Sequence, residues 1–334
     1  MSSGVVIRAR FSVAILVCLA AAAQAAQTEA EKLIEAGHWK RARTLVEARI
    51  KEAPDDPLAN FLLSQIRNAF GDHESPLLLA EKAVALDGRT AKFHRQVAEC
   101  LGVMAQHANV VQQVLLARRF RKEIDAALAL DARDAQALRD LMEFYLLAPE
   151  IIGGDKRKAS ETAGRLRSID AVEGELALAR LASYRKQAGE AEAHLRRAAE
   201  AEPPSYKARV ALAQFYLSAT LPNLDGAAKA AASAVALDGT RVEGYSILAE
   251  AHAARWEWNE LDASLETASR EVPDDLTPYY RAAERLLSTG RDAARAWRYL
   301  RIYLAQLTEG NEPTAAEARA KLENRASTRA RWHP

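Results

Sequence analysis

Short segments that end a helix return along the chain at nearly constant intervals. They are EAPDDP (52–57), ALDGRT (85–90), ALDARD (129–134), SIDAVE (168–173), EAEPPS (200–205), ALDGTR (236–241) and EVPDDL (271–276). With Pro54, Gly88, Ala132, Ala171, Pro203, Gly239 and Pro273 as equivalent points, the spacings are 34, 44, 39, 32, 36 and 34 residues. Apolar residues between these points follow a helical period, and a weaker turn falls inside each interval. Two antiparallel helices fit such an interval. Neither helix pair has enough inward face to fold alone, so successive pairs must stack and share one core. With only 11 Pro and 15 Gly in 334 residues, the chain is short of the turns a loop-rich all-β protein needs. The expected fold is all-α.

The individual repeats carry a known pattern in part. Tyr245, Leu248, Ala249, His252, Leu261, Leu265, Ala268 and Pro273 stand at repeat positions 4, 7, 8, 11, 20, 24, 27 and 32 of the seventh unit. The second unit keeps Leu63, Ser64, Leu77, Ala80, Ala83 and Gly88, and the first keeps Leu33, Gly37, Trp39, Ala42, Val46 and Pro54. In this pattern the chain resembles the tetratricopeptide repeat family. The resemblance implies a right-handed superhelical solenoid of antiparallel helix pairs, about eight units over residues 26–305. Small residues let paired helices approach closely, and larger ones fill the space between neighbouring pairs. Residues 306–334 are expected to give a closing helix, which covers the apolar end of the stack, and a flexible basic tail.

The first 25 residues read as an address. Arg8 and Arg10 precede an uncharged, largely apolar stretch from Phe11 to Ala23, and Ala23-Gln24-Ala25 fits a small-x-small cleavage site. The alternatives are a retained anchor or a lipid-modified Cys18. The apolar core is short for a spanning helix, which needs about 20 residues. Ile15, Leu16 and Val17 are not the small residues expected before a lipidated cysteine. Cleavage would remove two of 46 basic residues, leaving 44 against 45 acidic, and would leave Cys100 as the sole cysteine. One cysteine forms no internal disulfide, so packing alone must hold the mature chain. Export across an inner membrane to a bacterial periplasm is the expected destination.

Two departures from the period stand out. The 44-residue interval is almost unbroken helical material, with a turn expected at residues 105–109. Its second helix contains the mixed apolar and basic run 115–122, read either as a solvated face or as a peripheral contact with a membrane or acidic partner. The 39-residue interval places its extra residues in an apolar loop, 147–156, closed by Gly153 and Gly154, with Asp155 expected to cap the following helix. Trp297, Leu300 and Tyr303 are expected to point inward near the end of the array.

Chemistry leaves little trace. The seven histidines show no HExxH spacing and Cys100 has no cysteine partner, so neither metal nor cofactor is expected. GxSxG, a dinucleotide fingerprint and a kinase signature are all missing from the sequence, so no enzyme is expected. A net charge of +1 speaks against nucleic acid. What the resemblance implies instead is binding of a protein or peptide against the concave face built from first helices. Carried over by repeat position, the groove residues are Phe61, Gln65 and Asn68; Lys92, Arg95 and Glu99; Gln136, Arg139 and Glu143; Arg180 and Tyr184; Lys207 and Gln214; Glu243 and Glu250; and Tyr280 and Glu284. These suggest a groove that is mixed and basic in its middle and acidic towards its C-terminal end. Glu99 and Glu143 depart from the family's Lys/Asn clamp for peptide carboxylates.

Overall fold

The repeated Leu-Asp-x-x signature is a hydrogen-bonding device. In a computed structural model of the chain, Asp87 accepts from the Arg89 backbone N–H and the Thr90 hydroxyl. Asp131 accepts from the Arg133 N–H, and Asp238 from Thr240. Each aspartate thus ends one helix and turns the chain into the next, because its short carboxylate satisfies backbone donors that the turn leaves unpaired. Asp56, Asp134 and Asp170 act one step later, as N-caps that accept from the first turns of the helices they precede. The structure describes residues 27–72, 75–218, 222–306 and 313–330. The leader expected at 1–25 and the tail beyond 330 lie outside them.

The helices are α1 (27–35), α2 (Trp39–Glu52), α3 (Pro57–Ala69), α4 (Ser75–Leu86), α5 (Ala91–His107), α6 (Val110–Leu130), α7 (Ala135–Leu147) and α8 (Lys156–Ile169). They continue as α9 (Ala171–Tyr184), α10 (Ala188–Ala199), α11 (Tyr206–Ser218), α12 (Leu224–Leu237), α13 (Val242–Arg255), α14 (Trp258–Glu271), α15 (Thr277–Ser288), α16 (Ala293–Ala305) and α17 (Ala315–Ala330). No strand occurs among the described residues. Each odd-numbered helix up to α15 pairs with its successor, giving eight pairs and a closing helix. Small residues sit where helices cross. Ala80, Ala83, Ala98, Ala127, Ala249 and Ala268 are all at most 2% exposed. Gly174 marks a tight helix-on-helix approach, since a Cβ there would lie 2.1 Å from the Arg167 Cα of α8.

First helices pack against first helices: α3 on α5, α7 on α9, α9 on α11, α11 on α13, and α13 on α15. The second helices do not pack on one another in this way, so the stack curves with its first helices inside. The exception is the α5–α7 step, where the inner helices are held apart. The lengthened interval supplies the reason. Helix α5 ends at His107, and α6 starts with a full capping box in which the Asn109 and Gln112 side chains each accept from the other's backbone N–H. The resulting 21-residue α6 drives Phe120 against Phe144 of α7, ring centroids 5.8 Å apart, and wedges the units open.

Curvature brings the two ends of the array together. The carboxylate of Asp274, in the α14–α15 loop, accepts from Arg41 Nε at 3.1 Å and Nη2 at 2.7 Å, and lies 3.2 Å from His38 Nδ1. Lys40 Nζ donates to the Asp274 carbonyl at 2.9 Å. His38 sits in the turn inside the first unit, whereas Asp274 sits between the seventh and eighth. These turns belong to opposite edges of a helix-pair stack, so the contact marks one completed superhelical turn. At the C-terminal end Ala318 is fully buried and Leu322 packs beside it on the α15–α16 core, which caps the stack. Leu300 and Tyr303 point inward, and Trp297 packs half-buried against the same core.

Candidate functional site

The parted helices α5 and α7 enclose a hollow on the concave side, a cavity of about 760 Å³. Gln65 of α3 borders it; Arg95, Glu99 and Gly102 come from α5, and Gln136, Arg139, Asp140 and Glu143 from α7. Its apolar wall is Leu116 and Phe120 of α6 with Phe144 and Leu147 of α7. A second helix thereby reaches the inner face, which the regular repeat does not allow. Close by in sequence to Leu116 and Ile152, which line it, Val110, Val111, Leu115 and Ile151 are 61–89% exposed. Residues 115–122 accordingly do not form one outward face. Leu116 and Phe120 turn into the hollow, while Arg119 pairs with Glu81 and Arg121 with Asp125 at 2.9 Å.

The loop that closes this end is tightly built. Asp155 caps α8 by accepting from the Arg157 and Lys158 N–H groups, as its position in the sequence suggests. Gly153 takes φ 105°, a left-handed conformation suited to glycine, and a Cβ on Gly154 would strike the Ala148 carbonyl at 1.7 Å. The loop therefore folds back on α7 and sets Ile152 at the cavity edge.

Charges in the hollow are unevenly matched. Arg139 has Glu173 at 3.4 Å, Glu143 has Arg180 at 2.8 Å, and Lys207 has Glu173 at 2.5 Å. Arg95 is 3.7 Å from Asp134, and its buried Nε makes no hydrogen bond. Glu99 has one neutral partner, the Asn68 amide at 3.2 Å. Asp140 has no hydrogen bond or ion pair among the described residues, although it is half-buried. Burial pushes its carboxyl up to about 6, against the opposing pull of Arg139 and Arg95, and Glu99 and Asp134 add to the rise. Glu99 is open to solvent but lies within the walls of the hollow. Their desolvation raises its carboxyl above the ordinary value, opposed by Arg95 and the Asn68 hydrogen bond. The middle of the groove thus mixes arginines with carboxylates, as the sequence suggests, and the groups left there without an ion pair are the carboxylates Asp140 and Glu99.

The other expected groove residues divide into three sets. Phe61 and Tyr280 are core, 4% and 3% exposed, because each ring is taken up by an aromatic neighbour: Phe93 at 5.2 Å and Tyr303 at 5.3 Å. Several polar residues are engaged by the chain itself. Lys92 pairs with Glu31 of α1 at 2.7 Å, Glu243 accepts from the Tyr206 hydroxyl at 3.1 Å, and Glu250 pairs with Arg285. Glu284 pairs with Lys321 of the closing helix at 2.9 Å. The acidic C-terminal end of the groove is therefore neutralised from within. Gln65, Gln136, Arg180, Tyr184, Lys207 and Gln214 remain solvent-accessible, Tyr184 beneath the Lys156 ammonium at 5.0 Å.

Asp140 and the α6 wall are the residues that repeat positions alone miss. The ten added residues signal the second, whereas nothing in the sequence signals the first. Cys100 is buried beside Ser64 and Gln96, and burial raises its thiol, which suits core packing. Among the described residues no group of three or more His, Cys, Asp or Glu side chains could hold a metal ion, and no helix is long and apolar enough to cross a membrane.

No protein-family model and no curated protein matches the chain. Solved structures do. The thermophilic TPR protein TTC0263 of Thermus thermophilus is similar with a TM-score of 0.51 and 22% identity, over 58% of this chain and 99% of that one. Yeast Tom70 is similar with a TM-score of 0.55 and 16% identity, over 89% of this chain and 60% of its own. At such identities what is shared is the path of the backbone. Helix pairs, small crossing residues and inner first helices all agree: this chain has the tetratricopeptide-repeat fold.

Proposed function

We propose that the chain is an exported scaffold that holds a protein or peptide partner in its concave groove, in the service of an envelope complex. The observation that carries this reading is the hollow between α5 and α7. It is a sizeable cavity with an apolar wall, polar groups converging from three successive first helices, and no segment of the described chain filling it. Elsewhere on the inner face Lys92, Glu250 and Glu284 are engaged by the chain's own charges. The fold supports the reading, because stacked helix pairs present long concave surfaces suited to proteins. The leader-like residues 1–25 support export to the periplasm.

Site-specific photo-crosslinking tests the groove. A benzophenone amino acid placed at Gln136 or Gln214 should capture the same protein from an envelope extract, and one placed at Glu266 on the outer α14 should not. Equal capture from both faces, or concentration-dependent growth in light scattering with no captured partner, would overturn the scaffold in favour of a self-associating stack. Mass spectrometry of the protein from a periplasmic fraction should show a chain beginning at Ala26; an intact Met1 would reject the cleaved leader.

A further inference from the structure

We infer that the hollow between α5 and α7 receives a basic side chain, lysine or arginine, carried next to an apolar residue on an extended peptide segment of the partner. This rests on the groove being a protein-binding site, and it names the chemistry of what enters.

The argument is one of charge accounting. Of the charged groups lining the cavity, Arg139 and Glu143 each have an opposite charge within 3.4 Å, and Arg95 has Asp134 at 3.7 Å. The two groups without a charged partner in the ion-pair range are both carboxylates, Asp140 and Glu99. An entering anion would have to compete with the carboxylates already facing both arginines, and it would meet Asp140 and Glu99 as like charges. An entering cation meets no such competition. The groups around Asp140 are Arg139 on its own helix, Arg95 and Glu99 on α5, and Asp134 at the cap of α7, while α6 and α3 contribute the uncharged Gln113 and Gln65. Facing them, Leu116, Phe120, Phe144 and Leu147 form an apolar wall within the same cavity. A ligand that is cationic at one point and apolar at the next satisfies both walls at once. The raised carboxyl of Asp140 fits this reading, since burial penalises its negative charge by more than Arg139 and Arg95 offset, and an entering cation would supply the rest.

The probes are two end-blocked, fluorescein-labelled hexapeptides that differ only in having lysine or glutamate beside a phenylalanine. Fluorescence anisotropy with the full chain at about pH 7.5 should give at least about tenfold tighter binding of the lysine peptide. That preference should shrink to within about threefold in Asp140→Asn, and in Glu99→Gln as a second variant, with helicity by circular dichroism unchanged. Between about pH 7.5 and pH 5 the lysine peptide should lose about tenfold in affinity as Asp140 takes up a proton, and Asp140→Asn should abolish that dependence. Equal binding of the two peptides, tighter binding of the glutamate peptide, or a preference that survives both substitutions would overturn the inference. So would failure of the lysine peptide to bind at about 1 mM. If crosslinking at Gln136 still captures a partner in that case, only the cationic chemistry is wrong; if crosslinking fails too, the groove reading falls with it.

Discussion

The contact between the two ends of the array offers the sharpest test of the architecture. Asp274→Ala removes the carboxylate that binds Arg41 and His38 across 233 and 236 residues of sequence. Its side chain is 16% exposed and that of His38 is 5% exposed, but Arg41 is 46% exposed and screened by solvent. Hydrogen bonds to a charged group contribute about 1.5–3 kcal/mol each when shielded, and discounting the exposed arginine leaves about 2 kcal/mol for the closure as a whole. In a stack where each unit touches mainly its neighbours, that loss does not spread through the molecule. It should appear at the ends. Hydrogen exchange of backbone amides in α1 and α2 should accelerate by about thirtyfold, with exchange in α9 and α10 unchanged. Small-angle scattering should show a larger maximum dimension as the turn opens.

Acid should mimic the substitution. Burial pushes the Asp274 carboxyl up, but the hydrogen bonds from His38 and Arg41 outweigh it and hold the group well below the ordinary carboxylate value of 3.8. Because the folded value is the lower one, the closure is fully stabilised above the ordinary value and is lost as pH falls through the folded value. An unchanged exchange pattern and scattering profile in Asp274→Ala would refute the completed superhelical turn.

Three further outcomes follow from the same geometry. Asp140→Asn should stabilise the chain at neutral pH by up to about 3 kcal/mol, because the folded state raises this carboxyl from 3.8 to about 6 and so penalises its ionised form. The gain should be complete above about pH 6 and vanish below the unfolded value, which urea titrations at several pH values can check. Gly174→Ala should cost about 3 kcal/mol in the same assay, since its methyl meets the α8 backbone and not a side chain that can swing away. Asn109→Ala should cost about 1 kcal/mol and raise amide exchange in the first turn of α6, where the capping box is lost.

What was legible in the sequence was what local chemistry decides. The Leu-Asp-x-x turns, the end of α5 near residues 105–109 and the Asp155 cap each depend on residues within a few positions of one another, so their signals survive in a single chain. The helix-pair stack was legible for the same reason, because the pattern repeats. Groove membership was less so. Repeat position gives the side of the helix, but bulk then decides burial. Phe61 and Tyr280 are large and apolar enough to be drawn between neighbouring units, onto Phe93 and Tyr303. Asp140 gave no signal, since its exposure to the hollow arises only where α5 and α7 part. The Asp274 closure joins residues more than 230 apart and depends on the total curvature, which no local pattern encodes.

These features bear on one another. A full superhelical turn encloses the inner face from the side, and the chain's own ion pairs occupy much of that face: Lys92 with Glu31 near one end, Glu284 with Lys321 at the other. Partner binding there would have to break pairs whose replacement gains little, since exposed ion pairs contribute about 0–1 kcal/mol. At the α5–α7 step the balance differs. The lengthened α6 opens the wall, supplies apolar surface and leaves Asp140 half-buried with no ion pair, so that its ionised form costs the folded chain stability despite the pull of Arg139 and Arg95. Binding a cation there returns that cost as affinity, so a strained point of the inner face is also one where association gains. The same account requires that Asp140→Asn stabilise the free protein while weakening the complex. A substitution that did both in the same direction would show that the hollow is merely a packing defect.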